Sequence, residues 1–359
     1  MNKEAYAARL EQEYEKLNII LQNYPITPGK ITLLSTRGGR SKWRIETDRG
    51  NLFLRQEYIN PRRMLFIAGA HWHLQKNGLP IAKLIPTKSG GLCLSGGDHA
   101  YLLYEAHEGE PMLYYDKTHA IKTMEFIGKF HQASKGYVQP EESKRRTRSG
   151  KWHKLYRWKL QELESNKKLA ESFPNDAFSL LFLEQVDKML KRGYESLSEL
   201  DQPYFEQWTK ETIQSRMFCQ QDFTMARMIL KDDQPFMKDL HSITIDFPTK
   251  DLRILLNKLM KKLAVWDENL ACQMLTAYDQ VHPLSKENYR VLWTDLKFPH
   301  LFCAISHKYY LGQKRSWGDE KYLMNMRHVM AVENSKEGFL NQFDEMFQNI
   351  KGGGTNDIK

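Results

Sequence analysis

Cysteine is scarce in this chain, and its four copies stand far apart. Cys93, Cys219, Cys272 and Cys303 form no C-x-x-C pair, which argues against both a disulfide-stapled scaffold and a structural zinc site. Reduced thiols in or near the core are the expectation. No run approaches the roughly 18 apolar residues that a membrane-spanning helix needs, so no membrane partner is expected. The opening "MNKEAYAARLEQEYEKL" is charged and lacks an apolar h-region, so no secretory signal is visible and synthesis in the cytoplasm is expected. Internal repeats are missing, and low complexity is confined to the terminal "GGGTNDIK", which reads as a frayed tail over 351–359. No helix-turn-helix, zinc or RNA-binding signature stands beside the basic run "KRRTRSGKWHK" (144–154), which reads as a solvated loop rather than a nucleic-acid patch.

What is present points to two lobes. The 359 residues exceed one ordinary core, and 41% hydrophobic with 12% aromatic content is ample for a packed interior. Lys and Arg outnumber Asp and Glu by 53 to 44, a net charge of +9. That excess suits an anionic partner such as a nucleotide, a nucleic acid or an acidic protein surface, and equally suits plain solubility.

After an amphipathic helix over about 3–23, with Leu10, Tyr14, Leu17 and Leu21 on one face, the pattern turns β-rich. "ITLLS", "SKWRIET" and "NLFLRQ" are separated by Gly38-Gly39 and Asp48-Arg49-Gly50, a hairpin signal. A helix follows Pro61 and closes at Asn77-Gly78. "GLCLS" and "AYLLYEA" add two strands. From "HEGEPM" onward the periodicity is helical, with long stretches near 176–199, 249–263, 268–280 and 318–348 and one β-like island over 218–246. The helix "THAIKTMEFIGKFHQAS" should bury Ile121, Met124, Ile127, Phe130 and His131. The fold class expected is α+β and bilobal: a small antiparallel N-terminal lobe over 1–106 and a larger, mainly helical C-terminal lobe over 107–350.

This order of parts is that of protein-kinase-like folds. Phosphoryl transfer needs a carboxylate near the acceptor hydroxyl, metal ligands bridging the phosphates, and a cation on the phosphate oxygens. "FCQQDFTMARMIL" (218–230) and "HSITIDFPTKDL" (241–252) resemble the motif H-x-D-x-x-x-x-N and the later strand Asp of the aminoglycoside phosphotransferase and choline kinase branch. In that resemblance Asp222 is the catalytic carboxylate and Asp246 the metal ligand. Asp251, at the start of a helix, reads as a structural cap. More narrowly, "KFHQASKGY" (129–137), "CQQDF" (219–223), "IDFPTKDLR" (245–253), "VWDE" (265–268), "YEAHEGEP" (104–111) and "LRQEYINPRRMLFIAG" (54–69) together resemble the CotS family of bacterial spore coat proteins over roughly residues 5–345. Membership implies a kinase-like fold, deposition in the spore coat, other coat proteins as partners, and ATP as the cofactor, its adenine on the Glu105 carbonyl and the His107 amide.

The departures from the catalytic pattern bear on activity. The motif His is Gln220, a polar residue that could still orient the loop. The motif Asn is Arg227, and a guanidinium has five donors and no acceptor, so it cannot ligate Mg²⁺. It could instead neutralise Asp222 or Asp246 and contact phosphate. The third-strand Lys is Arg55, able to hold phosphate with a larger, differently placed fork. "MLFIAGAHWHLQ" offers no Glu to clamp it. Two readings stay open on the same fold: a catalytically impaired, structural or scaffolding coat protein, or an active ATP-dependent phosphotransferase acting on a small-molecule hydroxyl or amine. A nucleic-acid binder is the third and weakest.

Overall fold

The computed structural model describes residues 3–353 apart from 315; the tail expected to fray lies mostly outside that range. The chain divides into two compact units, one of Met1–Pro111, Tyr137–Arg146 and Arg227–Ile243 and one of Met112–Gly136, Thr147–Ala226 and Thr244–Lys359. The class is α+β, with a small antiparallel sheet in the first unit and helices dominating the second, as expected.

The first unit opens with α1 (Lys3–Leu21), followed by β1 (Pro28–Arg37), β2 (Arg40–Thr47), β3 (Gly50–Tyr58), α2 (Pro61–Lys76), β4 (Leu94–Gly96), β5 (His99–Glu105) and the short β6 (Glu110–Pro111). Its later segment adds β7 (Met228–Lys231) and β8 (Gln234–Met237). Strands pair antiparallel in the order β1-β2-β3-β5-β4, with a second sheet β6-β7-β8. Strand alternation sends Trp43, Ile45, Leu52, Leu54 and Leu103 to one face, where Leu17, Leu21 and Tyr24 cover them. Tyr14, expected on that apolar face, is exposed, and Ile20 is buried instead. The opposite alternation puts Phe53, Arg55 and Glu57 together on the other face of β3.

The β1–β2 and β2–β3 hairpins are closed by two-residue turns. Arg37 pairs with Arg40 across Gly38-Gly39, whose φ values are +58° and +74°. That is the twist-matched turn in which both central residues are left-handed. The double glycine is therefore fully explained by the turn. A Cβ at Gly39 would also meet the Tyr58 Cβ at 3.1 Å, so Gly39→Ala should cost about 1–2 kcal/mol in chemical denaturation. α2 starts at Pro61 with the Asn60 side chain accepting from the Arg63 amide and stops at Asn77, where the sequence places its boundaries.

The second unit holds α3 (Lys117–Ser134), α4 (Trp152–Glu171), α5 (Ala177–Glu199), α6 (Pro203–Gln214), α7 (Thr249–Leu263), α8 (Glu268–Val281), α9 (Lys286–Lys297), α10 (His300–Tyr310), α11 (Asp319–Asn341) and α12 (Phe343–Lys351). In α3 the expected core positions Met124, Ile127, Phe130 and His131 are buried, and Ile121 is half-buried. The basic run over 144–154 is only in part a loop. Ser149–Lys151 form a 3₁₀ turn and Trp152, almost fully buried, begins α4. No helix among the described residues is long and apolar enough to cross a membrane. All four cysteines are free. Burial pushes each thiol up, to about 11 at Cys93 and about 12 at Cys303, and well above the ordinary value at Cys219.

Candidate functional site

In the helical unit, the motif carboxylates are set by one antiparallel bridge and one helix start. Cys219 and Thr244 exchange both backbone hydrogen bonds, at 2.8 and 3.0 Å, which fixes the loop after Cys219 beside the segment that ends in Asp246. α7 begins three residues after Asp246 and returns two lysines, an arginine and an aspartate to this region. Asp251, in its first turn, is fully buried and does not cap its own helix. Its Oδ2 accepts from the Gln220 amide at 2.8 Å and its Oδ1 from the Gln221 amide at 2.7 Å. His131 Nε2 lies 3.2 Å from Asp251 Oδ2, and His131 Nδ1 lies 2.9 Å from the Tyr278 hydroxyl. Asp251 thus does the orienting that sequence reasoning assigns to Gln220. The Gln220 carboxamide is buried with no hydrogen-bond partner on either polar atom among the described residues; its backbone, and not its side chain, is what the loop uses.

Asp246 is fully buried and its carboxylate is saturated from inside the protein. Oδ1 accepts from the Trp152 indole at 2.9 Å and from the Phe247 amide at 3.0 Å. Oδ2 accepts from the Gln221 carboxamide at 2.7 Å and from the Lys250 ammonium at 2.9 Å. Burial raises the Asp246 carboxyl above its ordinary range, and the Lys250 charge and the hydrogen bonds from Lys250, Trp152 and Phe247 oppose that rise. With only N–H donors around both oxygens, the ionised form is the one this environment fits. Lys250 itself sits in the first turn of α7, at the positive end of the helix dipole, where an ammonium is disfavoured without a counter-anion. Asp246 supplies one. Asp222 is more open, and it too meets a lysine of α7: Lys258 Nζ donates to Asp222 Oδ1 at 2.8 Å.

Mg²⁺ asks for oxygen ligands in near-octahedral array and keeps several waters. Asp246 offers no free lone pair to it, and the nearest cation is already an ammonium. The donor set around Asp246 does not fit the ion.

In the β-rich unit, Arg55 is buried and its fork is spent. Nε donates to Glu57 Oε1 at 2.7 Å and Nη1 to the Leu240 carbonyl at 2.7 Å. Nη2 meets Glu57 Oε1 and lies 2.6 Å from His241 Nδ1. Asp239 Oδ2 is 3.9 Å from Nη1. His241 joins the same group, with Nε2 donating to Asp239 Oδ1 at 2.7 Å. Arg227 makes an ion pair with Asp239 at 3.6 Å. Glu57 therefore clamps the third-strand cation from two residues along the same strand, the role for which α2 offers no residue. Sequence reasoning passes over Glu57, although Arg-x-Glu on a strand puts both side chains on one face. Asp239 and His241 carry no such signal, since only the fold returns their segment to β3.

Glu105 and His107 lie at the end of β5 and just after it. The Glu105 amide donates to the Lys83 carbonyl at 2.9 Å and the Ala106 amide to the Asn51 carbonyl at 3.0 Å. The His107 ring packs edge-on to Phe53 at 5.2 Å and against Phe236 at 5.7 Å. Burial and the neighbouring Lys42 ammonium press its pKa down to about 4, so the imidazole is neutral near pH 7.

A family model described as "Spore coat putative kinase YutH" matches residues 52–343 of this chain. Spore coat protein S of Bacillus subtilis (strain 168) is 52% identical over 341 residues, covering 95% of this chain and 97% of that protein. The chain belongs to the CotS/YutH family of spore coat proteins. Among solved structures, an aminoglycoside phosphotransferase from Alicyclobacillus acidocaldarius matches with a TM-score of 0.74 at 19% identity, covering 92% of this chain and 95% of that one. Spectinomycin phosphotransferase APH(9)-Ia, solved with ADP and spectinomycin, matches at 0.55 and 12% identity over 93% and 97% of the two chains. At those identities they place the fold as aminoglycoside phosphotransferase-like. Both the family and the fold agree with the motif-based resemblance.

Within that family frame, the residues that sequence reasoning misses are the cations and the anchors. It looks to Arg227 for the charge that offsets the motif aspartates and has nothing to say of Lys250 and Lys258. Trp152 reads as a tryptophan in a charged run, and its only sequence signal is that oddity.

Proposed function

We propose that this chain is a structural component of the spore coat that keeps a kinase fold without phosphotransfer. The observation that carries this reading is the state of Arg55. Its guanidinium, where a kinase fold holds its phosphate-binding cation, is buried and bonded to Glu57, Leu240 and His241. A phosphate would have to break an internal ion pair to reach it, and truncating or diverting one partner of a buried pair is strongly unfavourable. The 52% identity to a spore coat protein supports the coat role, with other coat proteins as partners. A nucleotide, if taken up, would bind through backbone groups near Glu105 and His107, which do not depend on the lost catalytic residues.

The test is ATP turnover by the wild-type chain against Asp222→Asn. Equal background hydrolysis is expected, and calorimetry should show any ATP binding to be independent of Mg²⁺. The alternative, an ATP-dependent phosphotransferase on a small-molecule hydroxyl or amine, is favoured by the accessible Asp222 carboxylate. It takes over if wild type hydrolyses or transfers phosphate and Asp222→Asn does not.

A further inference from the structure

We propose that the Lys250 ammonium is the resident cation of Asp246 and masks a latent divalent-metal site. This rests on the reading that no working phosphotransfer centre is present, and goes beyond it by naming what holds the metal position. The two oxygens of Asp246 are not equivalent. Oδ1 takes its hydrogen bonds from a buried indole and a backbone amide, neither of which can leave without moving α4 or the chain itself. Oδ2 takes its two from the ends of flexible side chains, Gln221 and Lys250. An ion could reach the carboxylate only at Oδ2, and there the ammonium already supplies the positive charge.

Asp246 and Lys250 are buried, so neither charge is screened by solvent. The Gln220 side-chain oxygen is buried, unpartnered and in the adjoining loop, and Gln221 can turn its carboxamide to present oxygen instead of nitrogen. Removing the ammonium while keeping the length of the side chain leaves Asp246 with an open lone pair and an uncompensated buried charge. A divalent ion satisfies both.

Mn²⁺ is the probe, followed by the paramagnetic resonance signal of the free ion, with folding checked by circular dichroism. Wild type and Asp246→Asn should bind Mn²⁺ identically. Lys250→Met should melt below wild type, gain a Mn²⁺ site, and recover its melting temperature as Mn²⁺ is added. Lys250→Arg, which keeps the cation, should gain none, and adding Asp246→Asn to Lys250→Met should abolish the gain. A Mn²⁺ site in wild type that disappears in Asp246→Asn overturns the proposal, and this comparison decides the matter even where Lys250→Met does not fold. A folded Lys250→Met chain that gains no site overturns it as well. ATP turnover is scored separately. Turnover in a chain with no Asp246-dependent metal ends the reading of impaired catalysis and leaves this proposal standing, whereas an Asp246-dependent metal without turnover does the reverse.

Discussion

Asp251→Ala is expected to lower the free energy of unfolding by about 3–5 kcal/mol, the cost of removing one partner from a fully buried charged network. Both carboxylate oxygens of Asp251 are engaged, one by the Gln221 amide and the other by the Gln220 amide and His131. The substitution strands two backbone donors in a site without water access, and each unsatisfied buried group carries its own desolvation penalty of about 1–3 kcal/mol. Asp251→Asn should recover part of the loss, since its carbonyl oxygen still accepts while its amide nitrogen faces donors. Urea denaturation measures the ordering: wild type, then Asn, then Ala. Hydrogen exchange at the Gln220 and Gln221 amides should rise in the Ala variant before that of α3 does. An Ala variant within about 0.5 kcal/mol of wild type, the size of an ordinary surface substitution, would mean that the loop is held by something other than this carboxylate.

Glu57→Gln should be comparably damaging and should also change the response to acid. It leaves the Arg55 guanidinium buried beside a neutral partner, which costs about 3–5 kcal/mol where no other anion can approach. Asp239, 3.9 Å from Arg55 Nη1, reduces that figure toward its lower end. For the pH dependence the sign follows from the direction of the shifts. Burial works to raise the Glu57 carboxyl, but His241 and Arg55 hold it down to about 2. Asp239 is likewise held well below its ordinary value, by His241, Arg55 and Arg227 against the effect of burial. Groups depressed in the folded state stabilise it above their unfolded pKa, roughly 4, and lose that contribution as pH falls toward the folded value. Wild type should therefore lose stability steeply from about pH 4 down to 2, and Glu57→Gln should lose less over the same window. A variant with the wild-type acid profile would remove Glu57 from the account of acid unfolding.

The fold was legible where local chemistry dictates it. Gly38-Gly39, Asp48-Arg49-Gly50, Pro61 and Asn77-Gly78 each set a boundary by a local backbone preference, and each boundary sits where that preference puts it. The two motif segments stand side by side for a different reason, the isolated backbone bridge between Cys219 and Thr244. What surrounds their aspartates was not legible. Lys250 and Lys258 are spaced as any lysines on an amphipathic helix, and nothing in 249–263 says which carboxylate each will meet. Trp152 reaches Asp246 across 94 residues of sequence and Arg55 reaches Leu240 across 185. Such partners are fixed by tertiary packing, which periodicity does not encode. Gln220 shows the converse. Its identity invites a hydrogen-bonding role, and the structure gives that role to the backbone beneath it.

The saturation of Asp246 also bears on how this sequence could have drifted. A motif carboxylate is commonly taken as a sign that chemistry is still under selection. Here Asp246 binds α4 through Trp152, the loop through Gln221, and the start of α7 through Lys250, while Asp251 holds two backbone amides of that loop. Any lineage that lost either residue would first have had to rebuild its interior. On the structural reading proposed above, packing is reason enough for Asp246 and Asp251 to stand where they do, with or without phosphotransfer.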